Sequence, residues 1–151
     1  MAKILNGKEV SARIKVELKT ETENLKKKGI DAGLAVIIVG DDPASRVYVN
    51  NKKKACEEIG IYSEEYALDK DTSEEELLKL IDELNAKPEI SGILVQLPLP
   101  RGINEESVIN RINPQKDVDA FHPVNVGKIM TGNFDFLPCT PAGVMELIKE
   151  C

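Results

Sequence analysis

An uninterrupted apolar run at positions 34–39, Leu-Ala-Val-Ile-Ile-Val, constrains the fold of this chain more than any other feature. Because the run has no polar alternation, it predicts a strand over Gly33–Val39 that is buried on both faces. Such a strand belongs in a parallel sheet with helices packed on each side. Although it is the longest apolar run in the chain, it is far too short to span a bilayer.

The other segments alternate between predicted helices and strands. Further strands are predicted over 62–68 and 92–96, and a short one includes Ile4 and Leu5. Helices are predicted over 7–28, 44–59, from the Ser73 capping box through Leu84, over 104–111 and 142–151, with a helical turn over 124–130. This alternation predicts an α/β fold class, a three-layer α/β/α arrangement with a mainly parallel sheet.

Composition excludes several classes of partner and cofactor. A net charge of −6 argues against nucleic-acid binding, and the N-terminus has no signal peptide, so we expect a cytoplasmic protein that binds neither nucleic acid nor membrane. The three cysteines form no CxxC pair, which argues against a disulfide framework or a zinc site. His122 is the only histidine, so a single chain cannot build a histidine triad or a multi-histidine metal site.

Tyr48 and Lys52 are the first candidates for chemistry. They lie four residues apart in the predicted helix 44–59, so both side chains share one helix face. Tyrosine can stack on a flat ring, and a partly desolvated lysine can move protons near neutral pH. The pair therefore suggests chemistry on a planar heterocycle, whereas Lys53 and Lys54 are typical of a solvated helix face.

Further polar residues follow the predicted strands, where ligands of open α/β sheets usually bind. Gln96 ends the third strand, and its amide either bonds to a ligand or to Lys52, or satisfies the backbone of the following proline loop. Asp117 and Asp119 lie two residues apart, and a carboxylate there either receives the N–H groups of an aminopyrimidine edge or shapes an Asx turn. Beside a proline, His122 is expected to be structural.

A Tyr-x-x-x-Lys pair also occurs in short-chain dehydrogenases, which need a glycine-rich dinucleotide site upstream. Only 47 residues precede Tyr48, and no two glycines in the chain are separated by a single residue. A GxxxxGK phosphate loop is also missing from the sequence. We therefore predict that this chain has no nucleotide site of its own.

Several blocks of sequence, taken together, closely resemble the bifunctional methylenetetrahydrofolate dehydrogenase/methenyltetrahydrofolate cyclohydrolase family. The blocks are VGDDPAS (39–45) with YVNNK (48–52), GILVQLPLP (92–100), KDVD (116–119), NVG (125–127) and PCTPAG (138–143). Each block is weak alone, but they occur in the family's order and spacing over nearly the whole chain.

The resemblance implies that tetrahydrofolate derivatives bind in a cleft over this domain. Lys52 would be the central catalytic residue, held and tuned by Gln96, while Tyr48 stacks on the folate ring system and Asp119 grips its aminopyrimidine edge. The remaining implied site residues are the Val95 and Leu97 backbone, which would line the pocket, and Ser45 and Asp117, which would support it.

Members of the family oxidise 5,10-methylenetetrahydrofolate with NADP or NAD and hydrolyse the product to 10-formyltetrahydrofolate. The resemblance further implies a cytoplasmic homodimer that serves one-carbon metabolism and purine biosynthesis. Two alternatives remain open: a member with only one of the two activities, and a non-enzymatic folate-binding module.

Family members are roughly twice as long, and their second half is a nicotinamide-binding Rossmann domain. We therefore expect residues 1–151 to be the folate-binding catalytic domain, ending in a helix over 142–151 that has no Gly or Pro stop and leads into the missing Rossmann domain. On this interpretation the chain alone binds no nicotinamide cofactor or metal and lacks dehydrogenase activity.

Overall fold

The computed structural model describes residues 4–151, in which helices and strands alternate along the chain. Within that range the three strands are β1 (Gly33–Val39), β2 (Tyr62–Leu68) and β3 (Gly92–Val95). The six helices of the same range are α1 (Gly7–Lys27), α2 (Pro43–Ile59), α3 (Glu74–Ala86), α4 (Glu105–Arg111), α5 (Pro123–Met130) and α6 (Cys139–Ile148).

Strand β1 lies at the centre of a parallel sheet with the order β2-β1-β3. Its side chains alternate between the two faces, so the apolar run contributes to a core on each side. Ala35 and Ile37 pack with buried side chains of α3 and α4. Val36 and Ile38 pack on the opposite face with Val49 of α2. Helices therefore cover both faces, and the predicted three-layer α/β/α architecture is confirmed.

Local capping sets the ends of the helices that flank the candidate site. The Asp42 carboxylate accepts the Ser45 N–H at 2.7 Å at the start of α2, and Pro43 lies in the first turn. Helix α2 ends at Gly60, whose φ of 80° is strained for any residue with a Cβ. Because these signals are local in sequence, the predicted bounds of α2 agree with the observed ones to within one residue.

Two terminal predictions are wrong. Ile4 and Leu5 form no strand and have no regular secondary structure. Helix α6 begins at Cys139, three residues before the predicted start, because Pro141 lies in the first turn, where its missing N–H needs no partner. The same helix ends at Ile148 and does not continue to position 151.

The loop from 112 to 122, which connects α4 to α5, is anchored by Lys116. The Lys116 ammonium donates to three carbonyls at the C-terminal end of α3, those of Leu84, Asn85 and Lys87, at 3.1, 2.9 and 2.8 Å. A cation is favourable there because the last carbonyls of a helix carry partial negative charge. The Lys116 carbonyl in turn accepts the Ile93 N–H at 2.7 Å, so the loop lies alongside β3.

We expect Lys116→Met to lower the free energy of unfolding by about 2 kcal/mol, because three carbonyls lose one charged donor. Urea unfolding followed by circular dichroism measures the change. Lys149→Met is the matched control, since Lys149 is largely exposed and forms a surface ion pair with Glu146 one helical turn away. Equal unfolding midpoints for the two variants would contradict the anchoring role.

The edge strand β2 is tied to the end of α3 by a cluster around Glu64. Its carboxylate accepts from the Tyr62 hydroxyl at 2.7 Å, from the Tyr66 hydroxyl, and from the Lys87 ammonium at 2.8 Å. These hydrogen bonds, that of Lys87 first, lower the pKa of Glu64 to about 2. The cluster lies at the Tyr62 end of the strand, which is its amino end, so it has a structural role.

A lowered pKa makes a stabilising contribution that is complete above the unfolded-state pKa and is lost as pH falls. We therefore expect Glu64→Gln to destabilise the fold by about 1 kcal/mol at neutral pH, and by progressively less as the pH falls from about 4.5 towards 2. Urea unfolding across that range measures the difference. The exposed Glu75→Gln control should show no such pH dependence, and a pH-independent effect at Glu64 would refute the prediction.

Candidate active site

The predicted site residues come from separate segments that meet at the carboxyl end of the sheet. Tyr48 and Lys52 lie on α2, Gln96 directly follows β3, and Asp119 lies in the loop after α4. Ligands of open α/β sheets bind at this edge because the strand ends leave a crevice there. The fold therefore brings together the four residues that the sequence analysis singled out.

Lys52 is the centre of the group. Its ammonium Nζ lies 3.1 Å from Gln96 Oε1 and 5.7 Å from the centroid of the Tyr48 ring. The side chain is half-buried, whereas Lys53 and Lys54 on the same helix are exposed. Lys53 and Lys54 thus have the exposed positions predicted for a solvated helix face, whereas Lys52 is half-buried and bonded to Gln96.

Gln96 makes both of the contacts that the sequence left open. Its Nε2 donates to the Leu97 carbonyl at 2.8 Å, so the amide satisfies the backbone of the proline loop. Its Oε1 is thereby turned towards Lys52, and its backbone N–H donates to the Ile37 carbonyl at 2.8 Å. The peptide bond between Leu97 and Pro98 is cis. Both ends of the side-chain amide are used, which holds Lys52 in one position.

Tyr48 presents an open aromatic surface. The residue is 60% exposed on the face of α2 that also carries Lys52. Exposed aromatic rings on a rigid helix offer area for stacking without much loss of side-chain freedom on binding. This arrangement suits a flat ligand that lies against the ring and reaches the Lys52 ammonium.

The two aspartates have different surroundings. Asp117 is 3% exposed, and its Oδ2 accepts from the His122 N–H and from Asn125 Nδ2, each at 2.9 Å. Asn125 also donates to the Pro114 carbonyl at 2.9 Å. His122 caps α5, its Nδ1 accepting the Val124 N–H at 3.1 Å, as a structural histidine would. Asp117 therefore organises the loop through these hydrogen bonds.

Asp119 has the surroundings of a binding group. Burial raises the pKa of its carboxyl, while the Lys52 ammonium and a hydrogen bond from Cys139 oppose that rise and Asp117 adds to it. The next residue, Ala120, is fully buried with a φ of 56°, in the left-handed region that strains a residue with a Cβ. A strained residue after Asp119 is typical of backbones that aim a functional side chain.

Sequence reasoning missed Cys139. This residue is the first of α6, and its Sγ lies 3.9 Å from Asp119 Oδ1. The PCTPAG block contains it, but nothing in the local pattern links a residue twenty positions away to Asp119. Only the path of the chain between α5 and α6 makes this contact.

The supporting residues have mainly structural surroundings. Ser45 is buried at the start of α2, where its backbone N–H donates to the Asp42 carboxylate that caps the helix. The Val95 side chain is part of the core on the α3 face of the sheet. Leu97 contributes its carbonyl to Gln96, so its backbone belongs to the crevice through that amide.

The N-terminus of α2 is already capped by a side chain. A pyrophosphate would need free N–H groups at a helix N-terminus after the first strand, but the Asp42 carboxylate already occupies that position on α2.

Within residues 4–151 no group of three or more His, Cys, Asp or Glu side chains is arranged for a metal ion. None of the helices in the described part of the chain combines the length and hydrophobicity needed to span a bilayer.

The arrangement can bind and protonate. An aromatic plane, an ammonium held by an amide, and a partly buried carboxylate surround one crevice. The carboxylate can receive paired N–H groups from a heterocycle that lies on the ring. The ammonium then lies close enough to exchange protons with the bound ligand.

Comparison with known proteins identifies relatives of this arrangement. Residues 5–119 match the family model described as tetrahydrofolate dehydrogenase/cyclohydrolase, catalytic domain. A bifunctional protein FolD from Acetivibrio thermocellus is 72% identical over 149 residues, which are 99% of this chain and 52% of the relative. One from Ruminiclostridium cellulolyticum is 64% identical with the same coverage. The chain thus spans about half the length of these curated relatives.

Solved structures of the same family also superpose on this chain over about half of their own length. The bifunctional FolD dehydrogenase/cyclohydrolase from Campylobacter jejuni superposes with a TM-score of 0.94 at 52% identity, covering 98% of this chain and 53% of that one. The FolD enzyme of Trypanosoma brucei, complexed with NADP cofactor and inhibitor, superposes with a TM-score of 0.94 at 36% identity, covering 98% and 51%.

Proposed function

The chain belongs to the tetrahydrofolate dehydrogenase/cyclohydrolase family, whose catalytic-domain model it matches, and from that premise we propose that it is the folate-binding catalytic domain of a bifunctional enzyme. The parent enzyme oxidises 5,10-methylenetetrahydrofolate to 5,10-methenyltetrahydrofolate with NADP or NAD and hydrolyses that product to 10-formyltetrahydrofolate. The contact between Lys52 and Gln96 beside the Tyr48 ring carries the proposal, because it supplies a fixed proton carrier next to a stacking surface.

Substrate binding follows from the two ends of the crevice. Tyr48 stacks on the folate ring system, and the Asp119 carboxylate accepts N–H groups from the aminopyrimidine edge. Those two contacts would bring the one-carbon bridge near Lys52, whose Nζ lies 5.7 Å from the centroid of the Tyr48 ring and within electrostatic reach of Asp119. Leu97 and Gln96 close the side of the crevice formed by the end of β3.

Hydrolysis requires three proton transfers, and Lys52 is assigned two of them. Water adds to the cationic methenyl carbon and loses a proton to the Lys52 amine, which gives a neutral adduct. The carbon–nitrogen bond then breaks as the departing nitrogen takes a proton from the Lys52 ammonium and the adduct hydroxyl gives its own proton to solvent water. The formyl group stays on the other nitrogen, and one proton is released overall. Gln96 accepts one hydrogen bond from the Lys52 Nζ, which leaves the other bonding positions of that nitrogen for the substrate.

Hydride transfer needs a nicotinamide that this chain does not hold on its own. The relatives are about twice as long, and the Trypanosoma brucei FolD structure contains NADP. We therefore assign the cofactor site to a further, Rossmann-type domain of the parent, to which α6 leads. In that arrangement the present domain contributes the folate geometry, and the chain alone has no dehydrogenase activity. The parent is assigned to the cytoplasm as a homodimer in the one-carbon metabolism that serves purine biosynthesis.

Calorimetric titration of the 151-residue chain with 5-formyltetrahydrofolate, together with hydrolysis assays of the chain and the parent, tests the proposal. We expect saturable one-to-one binding by the chain and methenyltetrahydrofolate hydrolysis by the parent. Separate hydride-transfer assays on the parent identify a member with one activity only. Binding with no turnover by the parent would indicate a folate-binding module, and no binding by either protein would reject the proposal.

A further inference from the structure

Cys139 lies against the carboxylate that we assign to folate binding. Its Sγ is 3.9 Å from Asp119 Oδ1 and 3.9 Å from the Val118 carbonyl oxygen, distances at which a thiol donates a weak hydrogen bond. Cys139 is an exposed residue, but partial desolvation of its thiol raises the pKa of the thiol, and the neighbouring Asp119 charge raises it further. The thiol therefore keeps its proton at neutral pH and is a donor.

This donor is exposed at the start of helix α6. Cys139 is its first residue, and Pro138 at the N-cap contributes no side-chain acceptor. The positive end of the helix dipole therefore has no capping carboxylate of its own, and Asp119 is the carboxylate next to it. A thiol and a helix end that both favour the ionised carboxylate act in the same direction.

We infer that Cys139 is a positioning residue for the substrate site: its thiol, at the start of α6, donates to Asp119 and keeps the carboxylate oxygens aimed at the aminopyrimidine edge. The inference rests on the proposed function, because that edge is the group Asp119 receives. It assigns a role to a residue that touches neither the reacting carbon nor Lys52. It also couples the orientation of α6 to the affinity for folate.

Three groups set the charge of Asp119, and each comes from a different neighbour. Lys52 on α2 and Cys139 on α6 favour the ionised form, whereas Asp117 in the same loop disfavours it. Burial and the Asp117 charge raise the pKa of Asp119, and removing the thiol donor takes away one of the interactions that lower it. The carboxylate should then protonate at a higher pH, and folate binding should begin to fail at a higher pH as the solution is acidified.

The test uses the 151-residue chain and its Cys139→Ala, Cys139→Ser and Cys151→Ala variants, with 5-formyltetrahydrofolate affinity measured by calorimetry across the acidic range. We expect Cys139→Ala to weaken binding about three- to tenfold and to move the acidic limb to higher pH. Cys139→Ser retains a donor and should stay within about twofold of the wild type. Cys151→Ala removes the thiol of the other exposed cysteine and is the control.

A double-mutant cycle separates donation to Asp119 from a packing effect. In an Asp119→Asn background, Cys139→Ala should cause no further loss of affinity, because the carboxylate it serves is gone. The parent enzyme should show the change in KM and not in kcat. If Cys139→Ala unfolds the chain, Cys139→Ser decides, since it preserves size and donor.

The outcomes distinguish this inference from the proposed function. If Cys139→Ala binds as tightly as the wild type and loses affinity at the same acidic pH, the positioning role is overturned and the folate site is not. The same conclusion follows if Cys139→Ser binds as weakly as a folded Cys139→Ala variant. Absence of binding by the wild-type chain rejects the folate site itself, and the role of Cys139 with it.

Discussion

Lys52→Met should reduce methenyltetrahydrofolate hydrolysis by the full-length parent about a thousandfold while leaving this domain folded. The variant removes the group that we assign to two of the three proton transfers, and general acid–base catalysis contributes about a hundred- to ten-thousandfold in rate. Methionine keeps the length of the side chain, so packing along α2 is little changed. The rate is measured by the loss of methenyl absorbance after correction for the uncatalysed reaction.

Lys53→Met is the matched control for this experiment. It removes the same charge from the next residue of the same helix, whose side chain is exposed. We expect the control to hydrolyse within about twofold of the wild type, since an exposed charge away from the crevice has little effect on the reaction. Comparable losses in both variants would point to a general charge effect, and an unchanged rate in Lys52→Met would reject the assigned mechanism.

Asp119→Asn should weaken folate binding about ten- to a hundredfold. An asparagine offers one oxygen and an N–H2 group that opposes the ligand's donors, so a paired and charge-assisted contact is lost. Because burial raises the pKa of Asp119, we also expect wild-type affinity to fall, on acidification, at a higher pH than an ordinary aspartate would require. Calorimetric titration of the chain with 5-formyltetrahydrofolate measures both effects.

Asp135→Asn provides the comparison, since this exposed carboxylate pairs with Lys128 at 2.5 Å on the surface. Its affinity should match the wild type at every pH. The unfolding midpoint of Asp119→Asn should also stay close to the wild type, because the side chain is placed for a ligand. A large loss of stability with unchanged affinity would move Asp119 into the structural class that Asp117 occupies.

The fold was predictable wherever the residues of one segment were enough to determine its secondary structure. The apolar run of β1 needs burial on both faces, and caps such as Asp42 and Gly60 act within a few residues of themselves. Helix α6 was misplaced because Pro141 reads as a helix breaker in sequence, while the first turn of a helix tolerates it. The family resemblance was confirmed by the match over residues 5–119.

The candidate site was predictable in part. Tyr48 and Lys52 share a face by helical periodicity alone, so their proximity follows directly from α2. Gln96 had two competing contacts, and the structure has both because its two amide ends point to different partners. The catalytic and binding roles of these residues stay predictions until the variants are measured.

The sequence by itself determined most of the strands and helices, with the exceptions of residues 4–5 and the bounds of α6, and which side chains share a helix face. Those properties depend mainly on neighbours one to four residues away. The tertiary structure alone decided that Asp117 bonds to His122 and Asn125 within the loop, while Asp119 lies beside Cys139 and within electrostatic reach of Lys52. Two aspartates two residues apart look alike in sequence. They differ in the fold because the strained turn at Ala120 and the return of the chain through α6 give each carboxylate a different set of distant partners.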